Sequence, residues 1–253
     1  MDLGLTGKRA LVTGATKGLG RAIAETLLAE GASVAICART AADVETAVAE
    51  MSAKGKGKVV GAAVDAADGD ALKAWITSSA EALGGIDIFV HNTSGKPARK
   101  LEGWKNNFEI DLLALLHSVE AATPFLADGG GSLISIGTTA VAEHFASGSG
   151  SYSAFKAAVT NWTLGQAQVL GAKGIRCNVV SPGPIFIEGG DWDKIKQGMP
   201  PFFEATEKGH PAGKMGVAHD VADAVAFLVS DRARHINGVN LTVDGGFLKR
   251  VNY

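Results

Sequence analysis

Hydrophobic residues follow two alternating patterns along the chain. Short runs of consecutive apolar residues are typical of strands that are buried on both faces. Longer segments, in which apolar residues recur every three or four positions, are typical of amphipathic helices. The short runs predict strands at 9–13, 33–38, 59–64, 86–92, 132–137, 175–183 and 239–246. The longer segments predict helices at 18–31, 41–54, 70–83, 101–126 (one long helix or two), 151–170 and 219–230.

Regular alternation of strands and helices predicts the fold class. Each strand except the last is followed by a helix-length segment, which favours a parallel sheet covered on both faces. Right-handed crossovers then wind the chain into an α/β, Rossmann-type doubly wound sheet of about seven parallel strands. No linker interrupts the pattern, so residues 1–253 are expected to form a single domain. The polar, aromatic-containing segment at 187–213 is expected to be an irregular lid over a substrate.

Composition and charge exclude several classes of partner. The chain has 253 residues and a formal net charge of −2, which gives no electrostatic footprint for nucleic acid or an anionic membrane. Charges interrupt every apolar stretch before it reaches the roughly 18 residues of a membrane span. The N-terminus has no signal-peptide pattern. Cys37 and Cys177 lie far apart without neighbouring metal ligands, so we expect reduced thiols, no metal site and a cytoplasmic location.

A glycine-rich loop joins the first predicted strand to the first predicted helix. It reads TGATKGLG at 13–20, and its glycines allow a tight turn and a close approach of the backbone to a phosphate. The following helix N-terminus offers free N–H groups and a positive dipole end to an anion. The loop lacks the Lys-Ser/Thr ending of a triphosphate-binding loop. Its place in a βαβ unit therefore predicts dinucleotide binding.

Together, the motifs of this chain resemble those of the short-chain dehydrogenase/reductase family, from about residue 5 to 246. The matching features are the T-G-x-x-x-G-x-G loop at 13–20, Asp65 in VDAAD, the Tyr152-x-x-x-Lys156 pair, Pro182-Gly183, and V-D-G-G at 243–246. The resemblance implies a homotetramer built from the helices at 101–126 and 151–170 and the last strand. It also implies the following cofactor-binding residues: Gly14, Thr16, Lys17, Gly18, Leu19, Gly20, Arg39, Asp65, Ala66, Asn92, Ser94, Tyr152, Lys156, Pro182, Gly183 and Ile185.

The end of the second predicted strand favours NADP(H) over NAD(H). In dinucleotide enzymes a carboxylate there binds the ribose 2′-hydroxyl of NAD, whereas an arginine accommodates the 2′-phosphate of NADP. Here Ala38 stands in the carboxylate position, Arg39 follows it, and Lys17 in the glycine loop adds a second cation. NADP(H) is thus the expected cofactor, with NAD(H) as second choice.

Tyr152 and Lys156 are the candidate acid/base pair. Residues four apart on a helix share one face, so the ammonium, together with the positive nicotinamide of the cofactor, is expected to lower the tyrosine pKa towards neutrality. Tyr152 then exchanges a proton with a carbonyl or alcohol oxygen. The resemblance implies that Lys156 also hydrogen-bonds the nicotinamide ribose. It places Thr138 in the role of a substrate-binding serine, with Thr139 as the alternative.

Three further positions depart from the family pattern. Asp111 stands where the family has an asparagine whose backbone carbonyl holds a water near Lys156, and its carboxylate is a candidate partner for that lysine. A shifted alignment would make Asn107 the equivalent instead. Ser94 replaces a small residue close to the cofactor, and Ile187 replaces a threonine near the carboxamide.

The substrate is only loosely constrained by the sequence. Thr138 and Tyr152 are fourteen positions apart, one more than is usual, which places an insertion in the loop containing His144 and Phe145, beside the substrate. Lid residues are candidates for an apolar pocket, for the lid's own core or for a subunit contact: Trp192, Met199, Phe202 and Phe203. No arginine cluster demands an anionic substrate. A ketone, an aldehyde, a secondary alcohol or a 3-oxoacyl thioester is expected.

Three functions fit these residues. The first is an NADP(H)-dependent oxidoreductase that interconverts a carbonyl and an alcohol. The second is a dinucleotide-binding sensor or scaffold with little turnover, which the departures at Ser94, Asp111 and Thr138 keep open. The third is isomerisation or dehydration on the same fold. The intact Tyr152–Lys156 pair favours the first.

Overall fold

The computed structural model describes residues 2–126, 130–144 and 150–251. Its strands are β1 Arg9–Thr13, β2 Ser33–Ala38, β3 Val59–Ala63, β4 Ile88–His91, β5 Gly131–Ile136, β6 Ile175–Pro182, β7 Ile185–Phe186, β8 Gly216–Val217 and β9 Asn240–Val243. Seven of them form a parallel sheet in the order β3-β2-β1-β4-β5-β6-β9, and β7 and β8 pair separately. This confirms the predicted doubly wound Rossmann-type fold and all seven predicted strands.

Helices flank the sheet on both faces. They are α1 Gly18–Ala29, α2 Ala41–Lys54, α3 Gly69–Leu83, α4 Leu101–Asn107, α5 Ala114–Leu126, α6 Ser151–Gly171, α7 Asp191–Gly198, α8 Pro200–Gly209 and α9 Ala218–Val229. The segment at 187–213 therefore contains two short helices, α7 and α8, and the expectation that this segment is irregular was wrong. In none of the described residues does a helix combine the length and the apolar character needed to cross a membrane.

The helix predicted over 101–126 is divided by a π-helical stretch. α4 ends at Asn107, the backbone is π-helical over Phe108–Leu113, and α5 begins at Ala114. α4 packs against α6, where the rings of Trp104 and Phe155 lie 5.8 Å apart. α5 packs against α3 under the sheet. The two helices on either side of the π-helical stretch thus pack against different neighbours.

Alternating strand residues fill two cores, one on each face of the sheet. On β1, Ala10 and Val12 point to the side of α1 and α9, whereas Leu11 points to the side of α3, α5 and α6. All three side chains are fully buried. Such two-sided burial explains why the strands appear in the sequence as continuous apolar runs.

The strand order reverses between β1 and β4. β1 pairs with β2 on one side and with β4 on the other, so the crossovers leave in opposite directions at this point. In doubly wound sheets, ligands bind in the crevice that opens at the carboxyl ends of such strands. The residues that follow Thr13 and His91 therefore lie where a ligand is expected.

Candidate active site

The glycine loop after β1 has the conformation that its sequence predicts. Gly14 and Gly18 both have φ of +64°, a region that other residues rarely adopt. A Cβ at Gly20 would lie 2.4 Å from the carbonyl oxygen of Gly14 and 2.5 Å from Nδ2 of Asn92. No side chain caps α1 at Lys17. The first N–H groups of α1 are consequently available to an anion.

Asn92 joins the loop after β1 to the loop after β4. Its Nδ2 donates to the carbonyl oxygens of Thr13 at 3.0 Å and Gly14 at 3.1 Å. In return, Oγ1 of Thr13 accepts the backbone N–H groups of Asn92 at 3.0 Å and Thr93 at 3.2 Å. These four hydrogen bonds hold the two strand ends together in one rigid crevice.

A cavity of about 720 Å³ opens from this crevice. Eight residues predicted to bind the cofactor line it: Gly14, Thr16, Lys17, Arg39, Asp65, Ala66, Asn92 and Ser94. Asp43 and Lys96 also line it, although neither was predicted from the sequence. Asp43 lies in the first turn of α2, and Lys96 lies in the loop after β4. Both follow the carboxyl end of a strand, and this position could have indicated that they line the ligand crevice.

The remaining predicted cofactor residues lie outside the lining of that cavity. Leu19 packs against the core cluster of α1, and Gly20 is buried beneath the loop. A Cβ at Gly18 would lie 4.0 Å from Cδ1 of Ile187, so Ile187 faces the glycine loop. Ile185 is buried and pairs with Gly216 in the small sheet. Pro182 ends β6 and Gly183 follows it, at the same carboxyl edge as Thr13.

Lys156 lies fully buried on α6, with 2% of its surface exposed. Its Nζ donates to the carbonyl oxygen of Ile136 at 2.8 Å and lies 3.7 Å from Oδ1 of Asp111. One helical turn earlier, Tyr152 is half-buried and its phenol interacts with the side chain of Thr138. Oγ1 of Thr138 also accepts the N–H of Ala140 at 3.2 Å. Thr138, rather than Thr139, thus provides the hydroxyl beside Tyr152.

Burial raises the pKa of Tyr152 above its usual value. The interaction with Thr138 opposes this change, and the negative charges of Asp111 and Asp191 add to it. The expected lowering of the Tyr152 pKa combined the ammonium of Lys156 with the positive nicotinamide of the bound cofactor; it is not present in the protein alone and stays a prediction for the complex. Asp111 lies beside the ammonium and offsets its charge.

Asp111 is buried in the π-helical stretch and accepts three hydrogen bonds. Its Oδ1 accepts from Oγ of Ser94 at 2.6 Å, and its Oδ2 accepts from the N–H of Gly95 at 3.2 Å and Nδ2 of Asn107 at 2.9 Å. Burial lowers the pKa of Lys156, and its ion pair with Asp111 counteracts that effect. Ser94 and Asp111, noted separately as departures in the sequence, are thus direct partners.

The aromatic residues of segment 187–213 pack on other aromatic rings. The rings of Trp192 and Phe202 stack with centroids 5.9 Å apart, and Phe203 contacts Phe186 at 6.0 Å. Phe202 also lines a second cavity of about 570 Å³, as does His144. Phe145, the other predicted residue of the inserted loop, lies outside the described residues, whereas Met199 is exposed.

Comparison with known proteins decides the family. A family model described as enoyl-(acyl carrier protein) reductase matches residues 14–248. The chain is 34% identical to isoepoxydon dehydrogenase patN of Penicillium expansum, over 97% of this chain and 96% of that protein. The chain belongs to the short-chain dehydrogenase/reductase family. This confirms the resemblance drawn from the motifs.

Solved structures of other short-chain dehydrogenases/reductases have the same fold. L-sorbose reductase from Gluconobacter frateurii, complexed with NADPH and L-sorbose, superposes with a TM-score of 0.92 at 27% identity, covering 99% of this chain and 100% of that one. A 7α-hydroxysteroid dehydrogenase complexed with NADH and 7-oxo glycochenodeoxycholic acid gives a TM-score of 0.88 at 29% identity, with coverage of 99% and 98%. Both forms of the cofactor thus occur among its structural relatives.

Proposed function

We propose that this protein is an NADP(H)-dependent oxidoreductase that interconverts a carbonyl group and an alcohol by hydride transfer. The observation that carries the proposal is the pair of interacting hydroxyl groups, Thr138 and Tyr152, one helical turn from the buried ammonium of Lys156. The dehydrogenase and reductase activities named for its relatives support the same class of reaction.

The residues at the crevice fit a nicotinamide dinucleotide. The cavity of about 720 Å³ lies in the range typical of ligand sites, and its rim carries Lys17 and Arg39. We assign the phosphates to the Gly14–Lys17 loop and the α1 N-terminus, because no side chain caps α1 and the first N–H groups of a helix have no acceptor within the helix. Asp65 and Ala66 are assigned to the adenine side, and Asn92, Ser94, Pro182, Gly183 and Ile185 to the nicotinamide side. When bound, the nicotinamide supplies or accepts the hydride.

Each residue of the hydroxyl pair has a distinct task in the proposed reaction. Thr138 holds the substrate oxygen by a hydrogen bond, which orients the carbonyl towards Tyr152. Tyr152 donates its proton to that oxygen during reduction and removes the proton from the alcohol during oxidation. Lys156 fixes the geometry of the site through its bond to Ile136 and, in the proposal, contacts the cofactor ribose.

Arg39 supports NADP(H) as the cofactor. It is exposed at the cavity rim, directly after β2, and has no ion-pair partner in the described part of the chain. An exposed guanidinium without an ion-pair partner is suited to bind the 2′-phosphate of NADP(H). Asp43 lies on the same rim, and its negative charge would repel a 2′-phosphate. The balance between the charges of Arg39 and Asp43 therefore determines the preference for NADP(H) over NAD(H).

Calorimetric titration with NADPH and NADH tests the cofactor assignment. We expect NADPH to bind at least tenfold more tightly, a difference of about 1.4 kcal/mol. Arg39→Asp should remove this preference, whereas Arg99→Asp, the same change of charge outside the cavity, should preserve it. Equal affinities in the unmodified protein would refute the NADP(H) assignment. Failure to bind either nucleotide would refute the dinucleotide site.

Turnover separates the proposed enzyme from a sensor or scaffold. A panel of ketones, aldehydes and a 3-oxoacyl thioester is assayed with NADPH, and Tyr152→Phe is expected to lose at least 100-fold in kcat, within the typical contribution of acid–base catalysis. NADPH binding without turnover of any carbonyl would favour the sensor. Product analysis of any reaction that leaves the NADPH unchanged would reveal isomerisation or dehydration.

We also propose that the chain acts as one domain with 187–213 as its lid, and that it forms a homotetramer. Exposed apolar side chains along α4 and α6 support association: Leu101 is 72% exposed and Val169 is 61% exposed. Light scattering of the purified protein tests this, and a monomer would overturn it.

A further inference from the structure

The Asp111 carboxylate is the most completely bound ionisable group near Tyr152. It has no exposed surface, and both of its oxygens are engaged: Oδ1 by Ser94 at 2.6 Å, Oδ2 by Gly95 and Asn107. The carboxylate accepts all three of these hydrogen bonds and donates none, and such an arrangement stabilises the ionised form of a carboxyl group. The ammonium of Lys156 is 3.7 Å from Oδ1. The site therefore pairs a buried, hydrogen-bonded carboxylate, that of Asp111, with the ammonium of Lys156.

We propose that Asp111 is the counter-ion of Lys156 and that, by offsetting the ammonium charge, it keeps Tyr152 protonated and so sets the site for carbonyl reduction at neutral pH. This inference rests on the proposed function, because it assigns a direction to that reaction. Asp111 acts through Lys156 and Tyr152 and is a positioning residue. Ser94 orients it.

The physical basis is the sum of charges that Tyr152 experiences. An unpaired ammonium near a phenol favours the phenolate, whereas an ammonium paired with a carboxylate within 4 Å presents little net charge. Tyr152 is also desolvated, and desolvation favours the neutral phenol. Both effects keep the proton on Tyr152, and a protonated tyrosine is the form that reduction needs.

The other groups facing this pair do not reverse its effect on Tyr152. His91 on β4 is fully buried and stays neutral, because burial, together with the charge of Lys156, lowers its pKa to about 3. Ser94, Gly95 and Asn107 contribute neutral donors. Asp191, at the start of α7, adds a weaker negative influence on Tyr152 and favours the phenol further.

Asp111→Asn removes the charge and fits the existing hydrogen bonds. With its carbonyl oxygen in place of Oδ2, the amide still accepts from Gly95 and Asn107. Its NH₂ group then faces Oγ of Ser94, which can accept a hydrogen bond and whose proton can point to the Gly95 carbonyl oxygen, 3.2 Å away. The substitution thus tests charge with little change of shape.

The chain offers a direct measurement of the Tyr152 proton, because it has only two tyrosines. In a Tyr253→Phe background, the ultraviolet absorbance of phenolate reports Tyr152 alone, and the Tyr152→Phe/Tyr253→Phe double variant supplies the baseline. We expect Asp111→Asn to lower the titration midpoint by about one unit, so that the phenolate-to-phenol ratio rises about tenfold at any pH below both midpoints. Circular dichroism at each pH confirms that the chain is folded.

Ser94→Ala is the matched control. It removes the 2.6 Å hydrogen bond but leaves the carboxylate charge, so its midpoint should move much less than that of Asp111→Asn. A midpoint that Asp111→Asn leaves unchanged, or that Ser94→Ala shifts equally, would overturn the proposal. If Asp111→Asn fails to fold, Asp111→Ser, which keeps a small polar acceptor, is subject to the same criterion.

Activity provides a second, independent readout. The acidic limb of the pH profile for alcohol oxidation should move down by about one unit in Asp111→Asn, because the phenolate forms at lower pH. A shifted titration without turnover of any substrate would uphold the counter-ion and refute the reductase. Turnover with an unshifted titration would refute the counter-ion alone.

Discussion

Gly20 is the position where an added methyl group would most disturb the cofactor loop. A Cβ there would approach the Gly14 carbonyl oxygen to 2.4 Å and Nδ2 of Asn92 to 2.5 Å, and the backbone Cα of Ala15 to 3.0 Å. Two of these neighbours are backbone atoms, so α1 itself must move. Overpacking of this kind costs about 1–3 kcal/mol. Replacing glycine by alanine within a helix returns up to about 1 kcal/mol.

We therefore expect Gly20→Ala to lower the free energy of unfolding by about 1–2 kcal/mol and to weaken NADPH binding at least tenfold. Denaturant unfolding measures the first quantity and calorimetry measures the second. Gly198→Ala is the control for stability, because nothing lies within 4 Å of a Cβ at that helical position. It should leave stability unchanged or raise it by up to about 1 kcal/mol. If both variants are equally stable and Gly20→Ala binds NADPH normally, the close-packing argument is refuted.

Two other predictions concern stability and reactivity. Burial alone would raise the pKa of Asp87, but hydrogen bonds and ion pairing with Arg9, at 2.7 Å for Nε, lower it overall. Arg9→Met should therefore cost about 1–2 kcal/mol at neutral pH, and urea titrations should show this loss shrinking as the pH falls from about 4 through the folded pKa. Burial also raises the thiol pKa of Cys37 and Cys177 to about 12, so neither should react with dithionitrobenzoate until the protein is denatured; one equivalent of rapid reaction would contradict this.

The sheet could be predicted from sequence because two-sided burial leaves continuous apolar runs. The helices at 187–213 were not predicted, because α7 and α8 are only eight and ten residues long and are separated by Met199, so neither gives a long periodic segment. The last strand ends at Val243, earlier than expected, because Gly245 and Gly246 have positive φ and turn the chain.

The candidate site was predicted in its components but not in its connections. Tyr152 and Lys156 lie one turn apart on α6, as their spacing suggested, and Tyr152 interacts with Thr138, as the family resemblance implied. The bond between Ser94 and Asp111 joins residues seventeen positions apart, in a loop and a π-helical stretch, and no local pattern announces such a contact. Because that contact engages the carboxylate beside Lys156, the direction of the Tyr152 pKa shift could not be obtained from the Tyr-x-x-x-Lys motif alone.

The π-helical stretch at Phe108–Leu113 also fixes the length of the chain there. Each α-helical residue advances the azimuth by about 100°, and a π turn takes up one extra residue before the next turn begins. Deleting one residue would convert the π-helical stretch to regular α-helix and rotate α4 by about 100° relative to α5. Trp104 would then turn away from Phe155, or Leu115 would leave the core it fills. This stretch can therefore accept substitutions, but an insertion or a deletion there would rotate one packed helix surface relative to the other.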